Sequence, residues 1–173
     1  DTYKEIIIAR KQTANFPAAI NTLTGGRIIQ NFNTTDLRFF NRRMIGPLSD
    51  NSLNYYSFQL IDTASIDNQN VYKIFMTPID SNFPGFFGDV YFNPNSFDLL
   101  KVDLMINKAA NLGGFFDTVQ IYQQFFPFQQ NIYMPVDYHL LIKANFLGLA
   151  KFGFELNSSM SEYSINNGLT DEF

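Results

Sequence analysis

The sequence predicts a mainly β domain: a curved antiparallel sheet, or half-barrel, of about seven strands that follows two short N-terminal helices. Aromatic residues make up 17% of the chain, with 20 Phe and 9 Tyr, and such side chains favour pleated, half-buried surfaces. From Leu53 onward apolar and polar residues alternate between recurring turn signals, which is typical of strands in hairpins. No strand-helix-strand repeat is visible in the sequence, and this disfavours a parallel sheet.

Residues 1–50 are predicted to form a helical or extended lead-in. The segment 15–26 (NFPAAINTLTGG) has an early proline and a closing Gly-Gly pair, which are start and stop signals of a short helix. The segment 34–44 (TTDLRFFNRRM) begins with a candidate N-cap threonine and carries apolar residues at helical spacing. Those apolar residues are Leu37, Phe40 and Met44. We therefore expect a second short helix in that segment.

Residues 51–157 form the predicted sheet domain, and residues 158–173 form a polar C-terminal tail. The strand candidates, in order, are LNYYSFQLID, VYKIFMTP, FFGDVYF, FDLLKVDLMIN, FFDTVQIYQQF, IYMPVDYHLLIKANF and LAKFGFEL. Turns such as TASIDNQN and NPNS join them, so we expect a meander of antiparallel hairpins. Membrane-spanning barrels alternate in the same way, but the irregular turns, Pro135 and the leading helices favour an open sheet.

The charge balance disfavours a nucleic-acid-binding role. The net charge is −4, and charged residues make up only 16% of the chain. Residues 1–43 hold seven of the twelve Lys and Arg residues against three acidic residues, so the basic charge is concentrated in the lead-in. A domain that follows nucleic-acid phosphates normally has a broad basic face. The chain contains no Cys, which excludes disulfides, thiolate metal sites and cysteine nucleophiles.

No residue pattern in the sequence predicts an enzyme. His139 is the sole histidine, and Asp137 on the same strand face is its nearest candidate partner. Residues two apart on a strand lie about 7 Å from each other at the backbone, which is awkward for a catalytic pair. Motifs for phosphate binding, nucleophilic catalysis and metal ligation do not occur. We therefore predict a non-enzymatic protein with no catalytic residue, no metal site and no cofactor.

The segment FPGFFGDVYFNPNSF, residues 83–97, concentrates six aromatic side chains. Alternation places Phe87 and Tyr91 on one face of a strand, after a turn that contains Phe83 and Phe86. The favoured interpretation is that the turn aromatics close the open end of the sheet over the core. The alternative is a stacking platform for sugars or an apolar mouth for a lipid. If the segment binds a sugar or a lipid, the candidate ligand-binding residues are Phe83, Phe86, Phe87 and Tyr91.

A trio of arginines lies in the second predicted helix. Arg38, Arg42 and Arg43 would share one helical face, at positions i, i+4 and i+5. A solvated face is the favoured interpretation, and contact with an acidic partner or a lipid phosphate is the alternative. The trio therefore supplies the candidate residues for an anionic partner.

Several segments, taken in order, resemble one known protein family. They are GPLSDNSLNYYSFQL, VYKIFMTP with FFGDVYF, and FFDTVQIYQQF with IYMP, spread over residues 46–156. The family is a large, uncharacterised group of Bacteroidetes envelope proteins, and the resemblance is to the region just before their outer-membrane β-barrel. Such proteins carry a signal peptide, a carboxypeptidase-regulatory-like N-terminal domain, this middle region and a C-terminal barrel. The sequence departs from the pattern at NKAANLGG and at Tyr133, where Trp is common.

The resemblance implies a location in the cell envelope, on the periplasmic side of the outer membrane. The implied partners are the outer-membrane β-barrel of the same protein or other envelope proteins, and no nucleic acid is expected. We read the chain, which opens on Asp1, as a mature or excised piece of a longer protein. In such envelope proteins Asp-Thr/Ser-small sequences accept O-glycans, and Thr63 in DTA at 62–64 resembles such a site.

The expected function is therefore a non-enzymatic periplasmic domain for assembly, docking or ligand presentation beside the barrel. The strand pattern also looks like the lipoprotein-carrier half-barrel. That likeness gives a first alternative, a carrier of a lipid or lipoprotein acyl chain in a concave apolar sheet. A second alternative is a glycan-binding module that uses the aromatic residues of segment 83–97.

Overall fold

A computed structural model describes seven stretches of the chain. They are residues 29–35, 37–39, 42–66, 68–110, 116–129, 132–146 and 150–165. The chain divides into two compact units, one made of Asp1–Gln30 with Glu162–Phe173, the other of Asn31–Ser161. In the first unit the described residues are 29–30 and 162–165, and they belong to neither helix nor strand. The first predicted helix, residues 15–26, lies outside the described residues.

The second predicted helix, over residues 34–44, is wrong. Two short antiparallel strands occupy this segment, β1 (Leu37–Phe39) and β2 (Arg42–Met44). Leu37 and Phe39 are both buried, whereas Arg38 between them is exposed. In a helix, residues two apart point to nearly opposite sides, so only an extended chain buries both side chains on one side. Packing of these two side chains therefore overrides the helical spacing read from the sequence.

The predicted meander is confirmed as an open sheet of seven antiparallel strands. The strands are β3 (Tyr56–Ile66), β4 (Gln69–Pro78), β5 (Phe86–Phe92), β6 (Leu99–Ile106), β7 (Phe116–Gln129), β8 (Ile132–Phe146) and β9 (Ala150–Ser159). Their order in the sheet is their order in the sequence, so β3 and β9 form the two edges. Two single turns of 3-10 helix, Ser52–Asn54 and Lys108–Ala110, are the helical elements of the described residues.

The first hairpin turn lies later in the chain than the sequence suggested. Strand β3 continues to Ile66, through the residues that were predicted to form the turn TASIDNQN. The turn passes through Asn68, which has a φ of 63°. Asparagine tolerates this left-handed conformation better than most residues. Thr63 therefore belongs to an edge strand and not to a loop.

One face of the sheet, the core face, is apolar and is covered by the chain segment that precedes it. Its buried side chains include Met76, Val90, Val102, Leu104, Ile121, Leu140 and Ile142. Phe86 joins them, with no accessible surface, and meets Phe32 and Phe39 edge to face at centroid distances of 5.2 and 6.0 Å. Such aromatic pairs stabilise a core beyond the area they bury. The aromatic residues of the lead-in therefore complete the core over Phe86.

Buried polar groups on the core face are paired. Gln123 is fully buried, and its Oε1 accepts a hydrogen bond from the backbone N–H of Phe32 at 2.8 Å. The hydroxyl of Tyr56 donates to the carbonyl of Ile45 at 2.7 Å and accepts from the N–H of Phe86 at 3.3 Å. Burial raises the pKa of Tyr56 to about 12. These bonds attach the segment 31–45 to the sheet.

Gly88 marks a close approach between β5 and β6. Its φ is 137°, a conformation that residues with a side chain rarely adopt. A Cβ at this position would collide with the backbone oxygen of Asp103. Glycine is therefore required here for β5 and β6 to pair.

The described residues include no helix that is long and apolar enough to cross a membrane.

Candidate ligand-binding face

The second face of the sheet, the polar face, is a grid of polar and aromatic side chains. Side chains of directly paired residues on neighbouring strands share a face, so the strand register defines three rows across the sheet. The first row is Lys73, Tyr91, Lys101, Gln124, Asp137 and Ser159. The second is Phe75, Asp89, Asp103, Tyr122, His139 and Asn157. The third is Phe87, Met105, Gln120, Leu141 and Glu155.

Strand alternation explains why these residues gather on one face. On β7, Gln120, Tyr122 and Gln124 point to the polar face, whereas Val119 and Ile121 are buried in the core. Successive side chains of a strand point to opposite faces, so one sequence supplies both surfaces. The register between strands then places each side chain beside specific neighbours.

Lys101 is held between two tyrosine rings at the centre of the grid. Its Nζ lies 4.8 Å from the ring centroid of Tyr91 and 4.8 Å from that of Tyr122. An ammonium within about 6 Å of an aromatic centroid is attracted by the ring. The hydroxyl of Tyr122 also donates a hydrogen bond to Oε1 of Gln124 at 2.8 Å. The two rings and the lysine therefore form a fixed cluster that joins β5, β6 and β7.

An ion pair lies next to this cluster. Nζ of Lys73 is 3.0 Å from Oδ2 of Asp89, and both side chains are about one-third exposed. The hydrogen bond to Asp89 raises the pKa of Lys73, and the nearby Tyr91 and Asp89 charges add to this effect. Partial burial raises the pKa of the Tyr91 phenol, and Lys73 partly opposes that shift. Lys73 thus contacts both Asp89 and Tyr91, whose ring centroid lies 6.0 Å from Nζ.

Two adjoining depressions lie between the rows, and they share Tyr122 and His139. The smaller, of about 190 Å³, is lined by Asp103, Gln120, Tyr122, His139 and Leu141. The larger, of about 310 Å³, is lined by Tyr122, Asp137, Tyr138, His139, Asn157, Ser158 and Ser159. Their walls thus combine carboxylates, amides and hydroxyls with the side chains of Tyr122, Tyr138 and His139. Nε2 of Gln120 donates to Oδ1 of Asp103 at 2.9 Å, which fixes both side chains.

The acidic side chain beside His139, which lies on β8, belongs to the neighbouring strand β9. Its Nε2 lies 3.2 Å from Oε1 of Glu155 on β9. The distance suits an ion pair when the imidazole is protonated, but the pair lacks hydrogen-bond geometry, and Nε2 has no hydrogen-bond partner. Asp137, the partner considered from the sequence, accepts a bond from Oγ of Ser159 at 3.0 Å.

The four aromatic residues predicted as ligand-binding lie in four different environments. Phe86 is in the core, so it cannot reach a ligand without rearrangement. Phe83 is half-buried and its ring centroid lies 4.5 Å from that of Tyr55. Phe87 lines an open groove of about 770 Å³ with neighbours that include Met105. Tyr91 belongs to the lysine cluster. Ligand binding by Phe83, Phe87 and Tyr91 stays a prediction.

The structure separates the three arginines predicted to meet an anionic partner. Arg38 and Arg43 are cross-strand partners in the β1–β2 hairpin, and both are exposed. Nη1 of Arg42 instead donates to the carbonyl of Ala109 at 3.2 Å. Arg38 and Arg43 are therefore neighbours on an exposed surface of the β1–β2 hairpin, and not of the helix from which the arginine surface was predicted. Their contact with an anionic partner stays a prediction.

Thr63, the predicted glycosylation residue, is exposed on the edge strand β3. Its backbone N–H donates to Oδ1 of Asp62 at 2.7 Å. Modification at this residue stays a prediction.

Sequence reasoning missed the Lys101 cluster and the loop-organising role of Asn107. Nδ2 of Asn107 donates to the carbonyl of Phe83 at 2.7 Å, and its Oδ1 accepts from the N–H of Gly85 at 3.1 Å. An Asn next to the Phe83–Gly85 loop in the sequence could have indicated this role, but Asn107 lies more than twenty residues further along the chain.

Within the described residues, no group of three or more acidic or imidazole side chains is arranged to hold a metal ion.

One comparison with known proteins gives a match. The model of a family described as "Family of unknown function (DUF5686)" matches residues 1–163. Comparison with curated proteins and with solved structures gives no match.

Proposed function

Because the chain belongs to the DUF5686 family, whose description assigns no activity, we propose its function from its surfaces: a non-enzymatic periplasmic domain of an outer-membrane protein. In this role the domain serves assembly, docking or ligand presentation beside the β-barrel of the same protein. The resemblance of segments such as GPLSDNSLNYY and FFGDVYF to the region before such barrels supports the location.

The polar face is the observation that carries the presentation role. Its side chains are already fixed by neighbours, as the Lys101 contacts with two tyrosine rings and the 3.0 Å Lys73 to Asp89 pair illustrate. A binding surface whose side chains are fixed beforehand loses less conformational entropy when a ligand arrives. Within the residues that the structure describes, Phe32 and Phe39 pack over Phe86 on the core face, whereas the polar face carries the two depressions around Tyr122.

A fractionation experiment in the native host tests the location. Antibodies raised against the sheet domain should detect the full-length protein in the envelope fraction. Added protease should digest the domain only after the outer membrane has been permeabilised. Detection in the cytosolic fraction would overturn the proposal, and digestion in intact cells would overturn the periplasmic side of it.

Glycan binding is the second candidate function, and the two depressions around Tyr122 favour it. Sugar hydroxyls pair with carboxylate, amide and hydroxyl groups, while the apolar face of a sugar ring packs on an aromatic side chain. Asp103, Gln120, Asn157 and Tyr122 supply these groups within two adjoining depressions. Two depressions side by side suit two consecutive sugar units, and the acidic lining suits neutral or amino sugars.

An array of neutral and amino-sugar oligosaccharides tests this second function. Binding by the 173-residue chain is expected, with an affinity that Tyr122→Ala lowers about tenfold or more, as for loss of a stacked aromatic contact. Phe126→Ala is the matched control, because Phe126 is an exposed aromatic on the same strand that lines neither depression. No binding, or equal loss in both variants, would exclude glycan recognition by this face.

The carrier alternative stays a prediction. An acyl chain on the core face would have to displace Phe32 and Phe39 from their contacts with Phe86. A bound lipid would therefore require movement of the segment that precedes the sheet.

A further inference from the structure

Lys101 carries a positive charge that no carboxylate of the described residues neutralises. Its side chain is half-buried, and its Nζ contacts the rings of Tyr91 and Tyr122. Ion pairs in the described part of the chain form elsewhere, as between Lys73 and Asp89, and none of them includes Lys101. A ring face attracts an ammonium but does not neutralise its charge. Lys101 is therefore a fixed ammonium without a counter-ion.

The carboxylates that the strand register brings close to Lys101 are engaged by other groups. Asp103 lies two residues further along β6, and its Oδ1 accepts a hydrogen bond from Nε2 of Gln120 at 2.9 Å. Asp89 pairs with Asp103 in the register, and its Oδ2 lies 3.0 Å from Nζ of Lys73. Both carboxylates thus have partners of their own. An anion for Lys101 would have to come from a bound molecule.

The contacts of Lys101 suit it to bind an anionic group. A lysine ammonium has several N–H donors, and a hydrogen bond to a charged acceptor is roughly twice as strong as one between neutral groups. Because the rings of Tyr91 and Tyr122 already hold Nζ, little side-chain entropy is lost when an anion binds. Lys73 places a second ammonium 6.0 Å from the ring centroid of Tyr91. Positive charge is therefore concentrated around Tyr91.

The surroundings of Tyr122 indicate what kind of molecule carries the anion. Nζ of Lys101 lies 4.8 Å from the ring centroid of Tyr122, and Tyr122 lines both depressions of the polar face. The amides of Gln120 and Asn157 also line these depressions, and such groups pair with sugar hydroxyls. The next unit of a saccharide that occupies the depressions would therefore lie beside Lys101.

We propose that the polar face binds an oligosaccharide that contains a uronic acid, whose carboxylate pairs with Lys101 between Tyr91 and Tyr122. Neighbouring neutral or amino-sugar units occupy the two depressions. This inference rests on the glycan-binding function proposed above and adds the charge of the ligand. A carboxylate carries one negative charge, whereas a more highly charged phosphate would be repelled more strongly by Asp89 and Asp103.

Isothermal titration of the 173-residue chain with two matched oligosaccharides tests the proposal. The first alternates uronic acid with N-acetylated amino-sugar units, and the second is the same oligosaccharide with its carboxyl groups reduced to alcohols. We expect the first to bind about tenfold more tightly, as for one hydrogen bond to a charged group. Added salt should reduce this preference, because it screens the charges. Equal affinities at low salt, or tighter binding of the reduced form, would overturn the proposal.

Lys101→Met tests whether this lysine causes the preference. The variant should bind both oligosaccharides with the affinity that the parent has for the reduced form. Lys151→Met is the matched control, because Lys151 is an exposed lysine of β9 on the same face of the sheet. The control should keep the preference of the parent. A preference that persists in Lys101→Met, or that both variants lose equally, would overturn the assignment to Lys101.

The reduced oligosaccharide separates this inference from the glycan-binding function. If Tyr122→Ala weakens binding of the reduced form, but carboxylates add no affinity to the parent, glycan binding stands and the uronic acid is overturned. If neither form binds, both proposals are overturned. Oligoglutamate is the third probe. Tighter binding of oligoglutamate than of the acidic oligosaccharide, lost in Lys101→Met, would assign Lys101 to an acidic peptide and overturn the sugar.

Discussion

The two faces of the seven-stranded sheet are made by the same strands yet are held by different forces. On the core face, apolar side chains such as Phe86 are fully buried, and Oε1 of the buried Gln123 accepts a hydrogen bond from the backbone N–H of Phe32. On the polar face, half-exposed charges and rings such as Lys101 and Tyr91 contact each other across strands. The buried packing of the first face therefore contributes more to the stability of the fold than the partly exposed contacts of the second.

The largest expected effect comes from breaking the core face at Phe86. Phe86→Ala should lower the free energy of unfolding by about 3–5 kcal/mol, because it removes a buried ring and leaves a cavity. The lost ring also ends the edge-to-face contacts with Phe32 and Phe39. Guanidinium unfolding measures the change. Phe126→Ala, at a half-exposed ring, should stay within about 0.5 kcal/mol of the parent, and a similar loss in both would contradict the comparison.

Tyr56 links the stability of the core face to alkaline pH. Its pKa is about 12 in the folded protein, against about 10 in an unfolded chain. Below pH 10 both states keep the phenolic proton, so this residue adds no pH dependence. Between pH 10 and 12 the unfolded state releases the proton and the folded state retains it, so stability falls as pH rises. The full pKa shift of Tyr56 corresponds to a loss of about 2–3 kcal/mol in the free energy of unfolding.

Tyr56→Phe tests this link. At neutral pH the variant should lose about 1–3 kcal/mol, because the Ile45 carbonyl and the Phe86 N–H lose their partner. Its decline between pH 10 and 12 should be shallower than that of the parent. Urea unfolding at a series of pH values supplies the measurement. Parallel curves for the two proteins would show that another group causes the alkaline loss.

The alternation of apolar and polar residues along the sequence predicted the strands of the sheet. It also predicted which side chains of each strand lie on the core face and which lie on the polar face. Lys101 and Asp103 alternate with Val102 and Leu104 in the sequence and do so in β6. The lead-in was not predictable in the same way, because a three-residue strand such as Leu37–Phe39 is too short to display a period. Whether this segment forms a helix or a strand depends on how its side chains pack in the core.

The candidate site depended on information that a single sequence does not contain. The contact of Lys101 with Tyr91 and Tyr122 requires the register of three strands. Register shifts at Leu60/Asp62 and Tyr91/Phe92 alter which residues face each other, and such bulges have no fixed sequence signal. Alternation therefore predicted the strand faces, but not the neighbours that make the grid.

The smallest expected effect comes from removing Lys101 from the polar face. Lys101→Met keeps the length of the side chain but ends its attraction to the rings of Tyr91 and Tyr122, a loss of about 0.5–1 kcal/mol at a partly exposed position. Lys151→Met on β9, an exposed lysine, is the control and should change stability less. Unfolding at low and high salt measures both variants. A loss in Lys101→Met as large as that of Phe86→Ala would show that the polar face also carries the fold, and the division of roles between the two faces would fail.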